Sequence, residues 1–377
     1  MVVVPEIFKA ANYRTGAFGK WGLGNTHLKG APNPVVHGFD EFYGFVSGGI
    51  GYWDHVHGGG YDWQRDGVTL RESGYSTELI AKEAVRLIKD RDKKRPLFLF
   101  ASFNAPHLPN DAPPKALAAA SYIEDPLRQA HAAMIGEFDR GLGQIIDALS
   151  EEGIINETLI WFMSDNGGLP RLDPPTTGGL RSFKGSMYEG GLRVPAIIEW
   201  PKGISKVRVT KHPAGAVDIF PTIAEVAGLE KSDLLKPQDG MSLAKLFLKE
   251  PGPRQKPLPF RSRGRIAVVD NDYKMISFPD KGKTRYELYN LANDMSEQDN
   301  LVKKEPKIAN RLRKKLKAID ASVTASVNGQ DYPEKKVAPQ PPRIFWWERE
   351  SYRPYFSEWI KRPEYGPRLK RHIESQK

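Results

Sequence analysis

Along the first 230 positions, apolar residues follow two alternating rhythms. Short unbroken apolar runs at 97–103, 158–163 and 194–200 read as buried strands. Between them, apolar residues return every three or four positions. Ile80, Ala84, Leu87 and Ile88 share one helical face, with Ser76 or Thr77 as the cap and Pro96 blocking continuation. Met134, Phe138, Leu142, Ile145 and Leu149 mark a longer helix over 126–150, whose stripe reads as core. Residues 218–228 carry proline near the start and glycine at the end, which frames another helix. A short helix over 5–13 and a small strand at Ala17-Phe18 open the chain. This alternation from 14 to 228 predicts an α/β fold built on a doubly wound, mostly parallel sheet.

Sheets of that kind gather their ligands at the carboxyl ends of the strands. Three predicted strand ends carry chemistry: Lys20 in Gly19-Lys-Trp-Gly-Leu-Gly24, His107 in Asn104-Ala-Pro-His107, and Asp165 with Asn166 in Ser164-Asp-Asn-Gly167. Asp165 and Asn166 offer hard oxygen atoms of the type Ca²⁺ or Mg²⁺ prefers, although the same tetrapeptide also reads as an Asx turn. Lys184 sits with Arg181 and Glu189 in a glycine-rich loop over 176–191. The glycine spacing around Lys20 is too short for a P-loop, and Trp21 stands where Ser or Thr is needed. His55 and His57, in the long loop region 30–74, lack carboxylate company and read as loop polars rather than metal ligands.

Past residue 250 the pattern changes. Pro251 to Pro259 reads as a linker, 265–269 and 273–278 as a hairpin around an Asp-Asn-Asp turn, and Ile308, Leu312, Leu316 and Ile319 as one face of a helix with a basic outer side. From 331 the chain is rich in Pro, Arg, Lys and aromatics, including Trp346, Trp347 and Trp359. That tail reads either as an arm packed on the main domain or as a contact for a glycan or other anionic polymer. The expected organisation is therefore an α/β domain over 1–250, a small α+β subdomain over 251–330 and a basic aromatic tail over 331–377.

Composition narrows the chemistry. The 377 residues include no cysteine, which removes disulfides and thiolate nucleophiles, and the formal net charge of +10 points to an anionic partner. No compact basic-aromatic motif appears in the first three hundred residues, so sulfated or carboxylated glycans fit the charge and no nucleic-acid partner is expected. No apolar run approaches the ~20 residues that cross a bilayer, and the first residues lack the pattern of a signal peptide.

Taken in order, the motifs at Lys20, His107 and Asp165 resemble the sulfatases of the alkaline-phosphatase superfamily. So do Gly38-Phe-Asp40, Lys184-Gly-Ser-Met-Tyr-Glu-Gly-Gly191, Asp239-Gly-Met-Ser242 and Tyr286-Glu-Leu-Tyr-Asn-Leu291. The likeness runs over residues 5 to 302, and the layout of 38–78 is most similar to the arylsulfatase B type, which acts on N-acetylgalactosamine sulfate. The resemblance implies that Asp165 and Asn166 are two ligands of a Ca²⁺ cofactor. It also implies that Lys20, His107 and Lys184 hold the sulfate oxygens and assist departure of the alcohol, with His107 as general acid. A sulfated carbohydrate or aryl sulfate would be the substrate, in a family usually periplasmic, secreted or lysosomal.

The departures are equally specific. Sulfatases use a formylglycine made in a C/S-x-P/A-x-R motif, and no serine here stands in that pattern. The family's first strand, with two aspartates completing the metal site, is not found, and Gly22 stands where many members have histidine, with His27 as a nearby substitute. The expectation is an amino-terminally truncated sulfatase, with an Asp-Asp strand and the nucleophile motif encoded upstream of Met1. Its neighbouring strands should then expose backbone and apolar side chains. Alternatives are a non-catalytic binder of sulfated glycans and, more weakly, a phosphate-ester hydrolase.

Overall fold

The computed structural model describes residues 3–23, 34–56, 61–169, 172, 175–229, 237–331, 334–336, 350–361 and 366–376. His27, His57, Trp346 and Trp347 lie outside them. The chain divides into two compact units, one of Val2–Ile155 with Gln340–Lys377 and the other of Asn156–Pro339.

In the first unit, α1 (Val4–Ala10) leads into β1 (Arg14–Lys20), longer than the sequence suggested because Arg14 and Thr15 also pair. β1 lies between β2 (Glu41–Phe45) and β5 (Leu97–Ser102), parallel to both; β3 (Gln64–Arg65) and β4 (Val68–Thr69) extend the sheet antiparallel beyond β2. The sheet is thus parallel at the centre and antiparallel at one side. Helices α2 (Ser76–Asp90), α3 (Pro114–Ala119) and α4 (Pro126–Glu151) complete the unit, with Ile80, Ala84, Leu87 and Ile88 buried as their spacing predicted. The expected Ser76 or Thr77 cap is absent: α2 starts at Ser76 after Tyr75, without a side-chain cap. Asp125 does cap α4, accepting from Arg128 N at 2.7 Å.

Glycine sets how closely β1 meets its neighbours. Gly19 has φ +100°, and a Cβ there would lie 2.0 Å from Ser102 O; a Cβ on Gly44 would lie 2.2 Å from Gly19 O. Gly19→Ala is expected to cost about 1–3 kcal/mol, from backbone strain and overpacking together. Urea denaturation checks this, and an unchanged midpoint would contradict it.

In the second unit, β6 (Ile160–Met163) pairs antiparallel with β7 (Ala196–Glu199) as a two-stranded sheet. The 158–163 run was expected to be buried on both faces; instead β6 is half-buried throughout, and Ile197 of β7 is 63% exposed. With one partner strand, β6 has less cover than its all-apolar sequence is made for. Short helices α5 (Glu189–Leu192), α6 (Ile219–Val226) and α7 (Ala244–Leu248) follow. Then comes an antiparallel sheet of β8 (Leu258–Ser262), β9 (Arg265–Asp270), β10 (Tyr273–Asp280) and β11 (Lys283–Asn290), with α8 (Pro306–Val327) against it. The predicted hairpin is β9–β10, with Tyr273 opposite Asp270. One sheet face packs Val268, Met275 and Leu288 on Leu312 and Leu316; the other packs Ala267, Ile276 and Tyr289 on Met187.

The stretch 251–259 is not a free linker. Arg254 within it is buried and forms a bidentate pair with buried Asp218 at 2.7 and 2.8 Å, and Leu258 is in the core. Its prolines announced an extended path but not the ionic anchor. The tail adds α9 (Phe356–Trp359) and α10 (Gly366–Ser375) to the first unit, where Trp359 and Leu369 pack on Val56.

Candidate functional site

The five candidate residues divide between the units: Lys20 and His107 in the first, Asp165, Asn166 and Lys184 in the second.

In the first, the parallel register of β1 and β5 places Gly19 opposite Ser102, so Lys20 and the Asn104–His107 turn leave the same carboxyl edge from adjacent strands. His107 is held from several directions. Its N–H donates to Asn104 O at 2.8 Å, its carbonyl accepts from Tyr52 OH at 2.9 Å, and its ring faces Gly49, where a Cβ would lie 2.9 Å from Nδ1 and Cε1. Nδ1 lies 2.8 Å from Leu108 O. A carbonyl can only accept, so Nδ1 carries the proton and Nε2 is the nitrogen that gains or gives one up. Buried Asn104 fixes the opposing loop, donating Nδ2 to Ile50 O at 2.9 Å, and Asp62 receives Val46 N and Ser47 N at 3.1 and 2.8 Å. Sequence reasoning missed Tyr52 and Gly49, because their roles depend on a loop that meets the turn after β5 from more than fifty positions away, and Asp62, whose partners lie fifteen and sixteen positions earlier. Asn104 was visible only as part of a motif.

His55 is a core residue. It is fully buried, its ring stacks on Trp63 with centroids 4.5 Å apart, and Nε2 lies 3.1 Å from Gly74 O. Burial pushes its imidazole below the ordinary histidine range. Asp40, in the Gly38-Phe-Asp motif, is likewise an anchor, receiving Thr15 N at 3.1 Å and Lys9 Nζ at 2.8 Å.

In the second unit, β6 ends in a turn on which the Lys184 loop docks. Gly167 N donates to Gly191 O at 3.2 Å, and Lys184 N to Gly168 O at 3.1 Å. Gly167 cannot carry a side chain, since a Cβ would lie 2.0 Å from Gly190 O. Asp165 and Lys184 are exposed; Asn166 is half-buried, with Nδ2 3.2 Å from Gly167 O. The structure thus brings Asp165, Asn166 and the Lys184 backbone together.

Arg181 and Glu189, read from the sequence as part of the same active-site-like loop, serve to anchor it. Arg181 donates to Tyr289 OH at 3.0 Å and Glu297 O at 2.8 Å, and its guanidinium lies 3.9 Å over the Tyr188 ring. Tyr188 and Tyr289 hydroxyls each donate to Glu287 at 2.8 Å; burial, then the Glu287 carboxylate, pushes the Tyr188 phenol up to about 12. Buried Lys274 bridges Glu189 at 2.8 Å and Glu297 at 2.9 Å. The Lys274–Glu297 contact is an ion pair. Burial pushes both carboxyls up. For Glu189, Lys274 and Arg193 outweigh burial and hold it below the ordinary glutamate range; Glu297 stays above. Tyr289, Lys274 and Glu297, which anchor Arg181 and Glu189 most deeply, lie some 85 to 116 positions downstream, beyond the reach of any local motif.

Asp165 and Asn166 suit a calcium ion in the kind of atom they offer. They do not suit it in number, since such ions take six to eight oxygens. Among the described residues, no three His, Asp or Glu side chains converge as a metal-binding group.

Two family models match the chain: "Sulfatase" over residues 2–229 and "N-sulphoglucosamine sulphohydrolase, C-terminal" over 181–322. Among curated proteins, the chain is 29% identical over 290 residues to the N-acetylgalactosamine-6-sulfatase of Mus musculus, covering 72% of the chain and 54% of that protein. It is 30% identical over 275 residues to a sulfatase of Formosa agariphila, covering 64% and 49%. The chain thus spans about half the length of these relatives. Among solved structures, Ps i-CgsB in complex with k-i-k-neocarrahexaose superposes with a TM-score of 0.73 at 31% identity, covering 84% of this chain and 73% of that one. The PsFucS1 sulfatase from Pseudoalteromonas sp., at 23% identity and a TM-score of 0.70, shares the fold.

Proposed function

Because this chain belongs to the sulfatase family, we propose that its residues serve the hydrolysis of sulfate esters, on a sulfated carbohydrate. The observation that carries the reading is His107 in the turn beyond the carboxyl end of β5, the strand beside the one that ends in Lys20. Its Nδ1–H is committed to Leu108 O, so Nε2 is the atom that handles a proton. As water displaces the alcohol at sulfur, charge gathers on the departing oxygen; His107 protonates it and Lys20, at the same sheet edge, holds a sulfate oxygen, while in the second unit Lys184 offers a cation for a sulfate oxygen. Asp165 and Asn166 would lend two oxygens to the family's calcium. The carbohydrate assignment draws on the relatives, one of which acts by name on N-acetylgalactosamine sulfate and another of which holds k-i-k-neocarrahexaose. The net charge of +10 agrees with a polyanionic substrate.

A second reading, a sulfated-glycan binder without turnover, is favoured by one fact: the 377 residues contain no C/S-x-P/A-x-R pentapeptide. Calorimetry with 4-nitrophenyl sulfate and sulfated oligosaccharides, run beside a sulfate-release assay, separates the two. Release supports hydrolysis, sulfate-dependent binding without release supports the binder, and neither removes both. Lys184→Ala is expected to weaken sulfate-ester affinity about tenfold to a hundredfold, the worth of one charge-assisted hydrogen bond. Equal affinity of variant and parent would take Lys184 out of the site.

A further inference from the structure

The two family matches end at residue 322, yet α9 and α10 lie well past that point and are built into the unit that carries His107. Leu369 is fully buried and Trp359 nearly so; both pack on Val56, with Tyr61, Tyr355, Phe356 and Ile360 around them. Trp359 also stacks on Tyr355, with centroids 5.2 Å apart. Val56 forms a bridge with Tyr61, and its carbonyl accepts Gly51 N at 3.1 Å. From Gly51 the same loop runs back through Ile50, whose carbonyl is tied to Asn104, to Gly49, which faces the His107 ring. Tyr52, on the other side of Gly51, donates to the His107 carbonyl. The loop covered by the tail is therefore the loop that confines His107.

We propose that the carboxyl-terminal helices are part of the site's own machinery, with Trp359 and Leu369 as positioning residues that fix the 49–56 segment and, through Gly49 and Tyr52, the orientation of the His107 imidazole. The physical reason is cover. Ile50, Tyr52 and His55 are buried within the unit itself, and the cover of the loop is completed at Val56 by the tail. Here Val56 is the loop's apolar contact with the tail, and two tail side chains bury it. The chemical role of His107 rests on the sulfatase reading above; its positioning by the tail does not.

The test uses the full chain with ¹⁵N-labelled histidine, His107 being assigned by its loss in His107→Gln. Trp359→Ala and Leu369→Ala are expected to displace the His107 titration midpoint and to remove the Nδ1–H signal protected by Leu108 O. Trp359→Phe restores both, and Lys370→Ala, at an exposed position, leaves both unchanged. If Trp359→Ala does not fold, Leu369→Ala and Trp359→Phe carry the comparison. Folded Leu369→Ala or Trp359→Ala with His107 signals superimposable on the parent's would overturn the proposal. Binding of 4-nitrophenyl sulfate, measured on the same samples, keeps the two ideas apart. Displacement of His107 in the variants, with no sulfate-ester affinity in the parent chain, upholds the positioning and removes the sulfatase reading.

Discussion

Replacing Lys274 by methionine is expected to destabilise the 156–339 unit by about 3–5 kcal/mol, because it leaves two buried carboxylates without their shared cation. Glu189 keeps Arg193 at 2.6 Å, but that arginine is substantially exposed; Glu297 keeps only the Glu189 N–H at 2.5 Å. For a unit of this size the loss is a fall of roughly 6–20 °C in Tm, readable by calorimetry. A fall of less than a few degrees would show that the triad carries no such weight. Converting all three residues together, K274M with E189Q and E297Q, is expected to recover most of the loss, since the penalty lies in the unpaired charge.

The same triad gives the unit a pH dependence of mixed sign. Glu189 is held below its ordinary pKa, so its contribution is present above the unfolded value and is lost as pH falls through the folded one. Glu297 is held above, so its contribution is present at low pH and is lost as pH rises through the folded value. Stability should therefore be greatest in a window around the ordinary glutamate pKa and decline on both sides. In K274M the alkaline decline should steepen. The consequence reaches the candidate site, since Glu189 closes the loop that carries Lys184.

Arg254→Met is expected to cost a similar amount, about 3–5 kcal/mol. Asp218 and Arg254 are both fully buried at their side chains, and Asp218 also receives Gly215 N at 2.9 Å and Met241 N at 2.8 Å. Without the guanidinium, the carboxylate stays buried just before α6, with those two backbone donors as its remaining partners. Arg254 also donates to Pro213 O at 3.2 Å, so the change loosens the segment before α6 as well as the 251–259 stretch. Urea denaturation of R254M and D218N singly and together checks this. If the single losses simply add, the two residues are not acting as a pair.

Much of the candidate site was legible from local spelling. Lys20, His107, Asp165 and Asn166 were picked out because each follows a short apolar run, and the strands fall where those runs lie. What holds these residues was not legible. Gly49 and Tyr52 confine His107 from a loop more than fifty positions earlier, and Glu287 and Glu297 anchor the Lys184 loop from about a hundred positions later. No periodicity records which distant residue a buried charge will meet. Arg181 and Glu189 were therefore drawn into the site by proximity in sequence, and Arg254 was passed over in a stretch that looked like a linker.

The sequence by itself determined the α/β class, the main helices and their buried faces, the β9–β10 hairpin and the family. These follow from patterns that repeat within one element, where the period of apolar positions states which face is covered. Only the tertiary structure decided the company each element keeps. An apolar run states that a strand needs cover, not how much it finds, and β6 finds one partner. An aromatic, basic tail could serve as an arm or as a glycan contact; the burial of Trp359 and Leu369 on Val56 makes that part of it structure. Asp165 and Asn166 began as a turn or a metal edge, and the fold ties them to the loop that presents Lys184.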